Sequence, residues 1–194
     1  YDAANLAEPT KWLLVPLLAA TLLVETSAPR TRLVTTVLVA LGLSWLGDVL
    51  PQFADGDAAF LIMVGCFLLA QLTFIAAFRP YAGSSILTVG RVLLLPYAAV
   101  IVALIVLCAP GAGGLLVPVL IYGACLGAMA VLATGVNGLV WAGGTTFLVS
   151  DALIALEAFS DRISVPHNDF AVMLTYVVAQ LLIVLGTIEK QREG

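Results

Sequence analysis

Charge is what this 194-residue chain has least of. Only 10% of its residues are Asp, Glu, Lys or Arg, against about one-quarter in an ordinary soluble domain. That scarcity, with 62% hydrophobic residues and a mean hydropathy of +1.12, excludes a water-soluble fold, and lipid must be the solvent for most of the surface. Histidine occurs once. His167 has no second His or Cys at ligand spacing, so a metal site is not expected. It also falls in a loop far from any embedded serine, which disfavours serine hydrolysis. The cysteines are three; Cys66, Cys108 and Cys125 lie within or at the end of apolar stretches and read as small buried hydrophobes. The net charge of −4 includes no basic tract, so nucleic acid is not a partner. The GxSxG, HExxH, P-loop and CxxC patterns are all missing. Gly111–Gly114 lacks the Lys and Ser/Thr of a phosphate cradle and reads as a turn. No metal or organic cofactor is implied.

What is present is a succession of seven apolar segments: Trp12–Val24, Leu33–Leu50, Ala58–Phe78, Val89–Cys108, Leu115–Ala133, Gly138–Ala158 and Phe170–Ile188. Turn chemistry separates them at Ser27-Ala28-Pro29, Asp55-Gly56-Asp57, Arg79-Pro80, Pro110–Gly114, Thr134-Gly135 and the polar stretch Ser160–Asn168. The spacing predicts an all-α, polytopic transmembrane helix bundle, a single domain over residues 1–194. No segment reads as a removable signal peptide. The chain begins at Tyr1 rather than Met, so one further helix is expected upstream, giving eight spans. Arg30, Arg32, Arg79, Arg91, Lys190 and Arg192 fall at one set of helix ends, and Lys11 and Arg162 at the other. By the positive-inside rule the first set is cytoplasmic, which puts a multi-pass protein in the cell membrane with its C-terminus inside.

Two acids interrupt the apolar runs. Asp151 lies in the middle of TTFLVSDALIAL, where a charge costs at least about 2.5–3.5 kcal/mol and normally has a partner or a task. Asp48, in LGLSWLGDVL, has Ser44 one turn before it. Both acids fall in the outer half of their spans, so a meeting is geometrically open to them. Asp48 reads either as an interfacial acid near a helix end or as part of a site. Asp151 reads either as a structural acceptor or as a working acid. Phe147, Gly144 and Ala155 share the face of Asp151, and Asn137 lies close to that stripe. The last segment carries a polar stripe of Asp169, Tyr176, Gln180 and Thr187. Tyr176 and Gln180, its deep pair, read as donors to an acid or substrate oxygen, or as glue between helices. Gln71 sits in an aromatic stripe with Phe67, Phe74 and Phe78, and reads as interhelical glue or as a binding residue. Tyr122 reads as a core tyrosine with one hydroxyl to satisfy, or likewise as a binding residue. Ser44, Gln71, Tyr122, Asn137, Tyr176 and Gln180 are the candidate substrate-binding residues.

In their order along the chain, LGLSWLGDVL, FLLAQLTFIAAF, WAGGTTFLVSDALIALEAF and TYVVAQLLIVLGTIE resemble the lysoplasmalogenase, or YhhN-like, family. Ser44, Gly47 and Asp48 match an SxxGDxxL-type element. Gly144, Phe147, Ser150, Asp151 and Ala155 match a GAxxFxxSDxxLA-type element. Tyr176, Ala179 and Gln180 match a YYxAQxL-type element. In a further AHxxYxxAF-type element this chain departs from the pattern, with Gln71 in place of His and Phe74 in place of Tyr.

The resemblance implies hydrolysis of the vinyl-ether bond of a lysophospholipid, releasing a fatty aldehyde and a glycerophospho-headgroup. A vinyl ether is cleaved by protonating its β-carbon, which leaves an oxocarbenium ion for water to attack. Two carboxylates can divide that work, as in glycosidases. Burial and a like-charged neighbour both favour the protonated form of a carboxyl. The expected catalytic pair is therefore Asp151 as general acid and Asp48 as cation stabiliser and water base, with the roles open to exchange. The lipid chain would lie among apolar helices and the headgroup towards the outer mouth. A different class of reading uses the same acids in a proton-coupled transporter or a lipid-binding membrane protein. The departures at Gln71 and Phe74 motivate a third, a family member that binds lysolipid without cleaving it.

Overall fold

The computed structural model of the protein describes residues 4–160, 163 and 166–193, with side chains from residue 12 onward. Arg162 and the Lys11 side chain, which enter the charge argument above, lie outside the described residues. Everything regular in the described residues is helical. The elements are α1 (Ala4–Glu25), α2 (Arg32–Val49), α3 (Gly56–Phe78), a four-residue α4 (Ile86–Val89), α5 (Leu94–Ala112), α6 (Leu116–Ala133), α7 (Gly138–Phe159) and α8 (Asn168–Arg192). The seven long helices correspond to the seven predicted apolar segments. The fourth segment starts later than expected, because residues 79–93 form 3₁₀ turns and the short α4.

Length and composition qualify five helical runs among the described residues to cross a membrane. One of them, Arg91–Ala133, is 43 residues long and contains two helices, α5 and α6, which fold back on each other at Gly113. That residue takes φ +48°, a conformation glycine reaches without a Cβ penalty. Trp12–Glu25 is a shorter apolar helix.

Start signals in the sequence fix two of the helices. Thr31 caps α2 by accepting from Val34 N at 3.4 Å, and Asn137 caps α7 by accepting from Val140 N at 2.9 Å. Both satisfy backbone donors that a helix leaves unpaired at its first turn.

Helices α2, α3, α6, α7 and α8 form a closed ring in which each packs against the next and α8 returns to α2. Outside it, α1 lies on α2 and α8, and α5 on α6 and α7. Cross-contacts set the directions. Ser150 meets Val172 and Asn137 meets Gly186, so α7 and α8 are antiparallel. Tyr97 meets Thr145 and Cys108 meets Ala155, so α5 and α7 run together. The bundle thus has a Phe159 end, where α2 and α7 finish, and an Arg192 end, where α8 finishes. Arg30, Arg192 and Lys190 gather at the latter with Glu25, Gln191 and Tyr81.

The interior of the ring is aromatic and aliphatic. Phe74, Phe78, Phe147, Leu41, Met129 and Ile183 are fully buried. The outward faces carry Leu13, Leu17, Val102, Val106, Val117 and Leu174 in the open. Helices apolar on every side belong in lipid rather than water. The backbones of α7 and α8 come unusually close. A Cβ at Gly143 would stand 2.8 Å from Ile183 Cγ1 and 2.9 Å from Ala179 O, so only glycine permits this approach.

Candidate functional site

The approach of α7 to α8 brings the two embedded acids into one neighbourhood. Asp151, the last buried residue of α7, accepts the hydroxyl of Tyr122 from α6 at 2.5 Å. Asp48, half-buried near the end of α2, accepts the hydroxyl of Tyr176 from α8 at 2.8 Å. The carboxylates are near enough for the charge of one to act on the other. Two acid–tyrosine pairs, from four different helices, therefore face one interior.

Aromatic rings fill the space between the pairs. Phe67 of α3 packs edge-on to Tyr176 at 5.8 Å and to Phe147 at 6.4 Å between centroids, and Phe147 packs edge-on to Tyr176 at 5.7 Å. Gly47, next to Asp48, leaves the room Phe67 needs: a Cβ there would fall 2.9 Å from its ring. Neither Phe67 nor Phe147 is assigned to the site by sequence reasoning. Their signal is positional, since each lies one turn before a polar site residue, Gln71 and Asp151.

From Asp151 a pocket of about 60 Å³ runs towards the Phe159 end between α3, α6 and α7. Met63, Val64, Val119 and Ile154 line it, Tyr122 and Asp151 form its polar end, and Phe60 and Phe159 stand at its far end. Those two rings meet edge to face at 5.6 Å. The volume holds more than one water, and the walls suit hydrocarbon.

Three neutral polar side chains adjoin the acid–tyrosine pairs. Ser44, Gln71 and Gln180 are all fully buried, and their Oγ or amide atoms meet no partner with hydrogen-bond geometry. Gln71 faces Tyr122 and Gln180 faces Tyr176 closely enough to influence them. The contacts fall short of hydrogen bonds. Among the described residues no three His, Cys, Asp or Glu side chains gather as metal ligands.

Of the predicted site residues, Asp48, Asp151, Tyr176, Gln180, Ser44, Gln71 and Tyr122 come together. Asn137 does not. It caps α7 at the Arg192 end and donates to Gly186 O at 2.9 Å and to Glu189 Oε2 at 3.1 Å. Sharing a helical stripe with Asp151 leaves it about 21 Å away along the axis. Arg91 is exposed, donates to Leu87 O at 3.3 Å, and stands apart from the acids.

No curated protein and no solved structure matches the chain. The model of the YhhN family matches residues 7–187, a stretch that contains the two acids and the five side chains gathered around them. The chain belongs to the YhhN family, the family that contains lysoplasmalogenase.

Proposed function

We propose that the protein is an intramembrane hydrolase that cleaves the vinyl-ether bond of lysoplasmalogens. The observation that carries this reading is the pair of neighbouring carboxylates, each receiving a tyrosine hydroxyl, at the inner end of an apolar pocket. Family membership supports it at the level of a lysoplasmalogenase-like role.

Asp151, buried at the pocket's inner end, donates its proton to the β-carbon of the alkenyl chain. The electron pair of the C=C bond takes that proton, and the adjacent carbon becomes an oxocarbenium ion with the ether oxygen. Asp48 stabilises the cation and removes a proton from the attacking water, giving a hemiacetal. Collapse of the hemiacetal breaks the bond to the glycerol oxygen, which leaves with the proton held by Asp48, while the hemiacetal hydroxyl returns its proton to Asp151 and the aldehyde is freed. Tyr122 and Tyr176 hold the carboxyl groups in place. Positioned acid–base groups of this kind contribute about 10²–10⁴-fold in rate.

The hydrocarbon chain occupies the apolar pocket, and the headgroup leaves the bundle beside half-buried Asp48 at the Phe159 end. In this reading that end faces outward and the basic Arg192 end faces the cytoplasm of a cell-membrane protein. The deciding experiment is aldehyde release from a purified lysoplasmalogen, beside Asp48→Asn and Asp151→Asn variants shown to be folded. Near-loss of turnover in both supports the pair, and unchanged turnover returns the acids to a structural role. Lysolipid binding without aldehyde from the wild type favours the binding or transport reading.

A further inference from the structure

Ser44, Gln71 and Gln180 share one placement. Ser44 lies one turn before Asp48 on α2, and α2 runs towards the Phe159 end. Gln71 lies one turn after Phe67 on α3, and Gln180 one turn after Tyr176 on α8, and both helices run towards the Arg192 end. Each polar residue is therefore displaced by about 6 Å towards the Arg192 end from a residue of the acid site. Together they make a polar layer beneath the two acids, on three helices that touch through α2. Below it the ring is closed by Leu41, Phe74 and Ile183, all fully buried.

Such a layer needs an explanation. Buried polar groups in folded proteins nearly always have hydrogen-bond partners, and an unpaired one costs about 1–3 kcal/mol. In lipid the surroundings offer none. Here two whole amides and a hydroxyl make no hydrogen bond, and the tyrosine hydroxyls that the amides face are given to the acids. The set is also chemically uniform: neutral, with both donors and acceptors, suited to an uncharged oxygen that donates and accepts in turn. A phosphate would call for cations, and a hydrocarbon for an apolar floor.

We infer that Ser44, Gln71 and Gln180 form the subsite that reads a free hydroxyl on the glycerol of a single-chain ether lipid. The inference rests on the proposed function for its choice of ligand. With the chain in the pocket beside Asp151 and the headgroup leaving past Asp48, the glycerol lies over this layer. Its unsubstituted hydroxyl completes the amides, and an acyl group on the same oxygen removes the donor and meets the buried floor. Gln71 stands where the family pattern has His, so in this chain one of the reading groups is an amide that carries no charge.

The test uses binding, so that it stands apart from catalysis. The probes are a 1-O-alkyl-glycerophosphoethanolamine, whose saturated ether has no double bond to protonate, and its 2-deoxy counterpart. Calorimetry on the full chain in detergent gives the affinity ratio. Wild type is expected to bind the hydroxylated probe about tenfold or more tightly, since a site built for a hydroxyl leaves buried groups unpaired when it is missing. Gln180→Leu and Gln71→Leu are expected to bring the ratio close to one while still binding the chain. Both are expected to raise the unfolding temperature of the ligand-free protein, because each removes an unpaired polar group. If a leucine variant does not fold, Ser44→Ala, which keeps the packing, gives the same ratio test. Equal binding of the two probes by wild type, or an unchanged ratio in the folded variants, overturns the subsite. Hydroxyl discrimination without aldehyde release from a vinyl ether overturns the hydrolase reading and leaves the subsite standing. Aldehyde release without discrimination does the reverse.

Discussion

The hydroxyl of Tyr176 donates to Asp48 Oδ2 at 2.8 Å across 128 residues of sequence, tying the last helix to the second. The Tyr122–Asp151 contact at 2.5 Å does the same for α6 and α7. Each acid is thus held by a donor on a different helix from its own, and the two bonds fasten the ring as well as the site.

Tyr176→Phe and Tyr122→Phe remove one hydroxyl each and keep the ring in place. A hydrogen bond to ionised Asp48 contributes about 1.5–3 kcal/mol and one to protonated Asp151 about 0.5–1.5 kcal/mol, which corresponds to roughly ten- to a hundredfold and two- to tenfold in rate when the bond is needed for positioning. We expect kcat for aldehyde release to fall by about that factor in each variant, with KM changed much less. Steady-state kinetics checks it, and a fall confined to KM would mean that the tyrosines bind substrate rather than hold the acids.

Asn137 is expected to behave in the opposite way. Its side chain caps α7 and bonds α8 at Gly186 O, about 21 Å along the helix from Asp151. Asn137→Ala should cost about 0.5–2 kcal/mol of stability and leave the kinetic constants of the folded protein near wild type. Thermal unfolding in detergent, read beside aldehyde release at a permissive temperature, separates the two effects.

The contrast between these residues marks what a sequence does and does not carry. Apolar length and turn chemistry give the seven long helices with ends within about five residues, except that α1 begins at Ala4 rather than Trp12, because hydrocarbon thickness and backbone satisfaction constrain helices in lipid so strongly. The embedded acids stand out for the same reason. Partnership across helices is another matter. Tyr122 sits on its helix with Cys125 and Met129, and nothing local distinguishes a core tyrosine from the donor to Asp151. Asn137 falls close to the stripe of Asp151 because a helical wheel preserves angle and discards height. Arg79-Pro80 marks the turn after α3, but apolar composition running from Val89 into α5 hides the short turns just before Leu94. They are set by tertiary contacts instead, such as Ile86 N donating to Thr134 Oγ1 at 3.0 Å.

The α7–α8 contact is expected to be the most sensitive packing feature of the site. At Gly186 a Cβ would stand 2.7 Å from Asn137 Oδ1 and 2.9 Å from Val140 N. Gly143→Ala and Gly186→Ala both push against backbone, and overpacking of this sort costs about 1–3 kcal/mol. Because α7 carries Asp151 and α8 carries Tyr176, activity should fall with stability in both. A control on an open face, Gly65→Ala, where nothing lies within 4 Å of the added carbon, is expected to leave both near wild type. Parallel unfolding and activity measurements on the three variants provide the check.

Phe60 and Phe159 meet at the far end of the pocket from Asp151. In the proposed reaction the alkenyl chain lies in this pocket, so the two rings limit what its far end can carry. Truncating Phe60 to alanine opens the wall at a half-buried position remote from the acids and tyrosines. Loss of a large buried ring costs about 3–5 kcal/mol in a closed core; here the ring is only partly enclosed and the cost is smaller. Substrates with a bulky group at the chain terminus should therefore gain in kcat/KM relative to the unlabelled lysoplasmalogen in Phe60→Ala, while the unlabelled substrate keeps a kcat near wild type. Competition between the two substrates in one reaction measures the ratio directly and cancels differences in folded fraction. An unchanged ratio would mean that the chain does not pass between these rings, and that it reaches Asp151 by another seam of the ring.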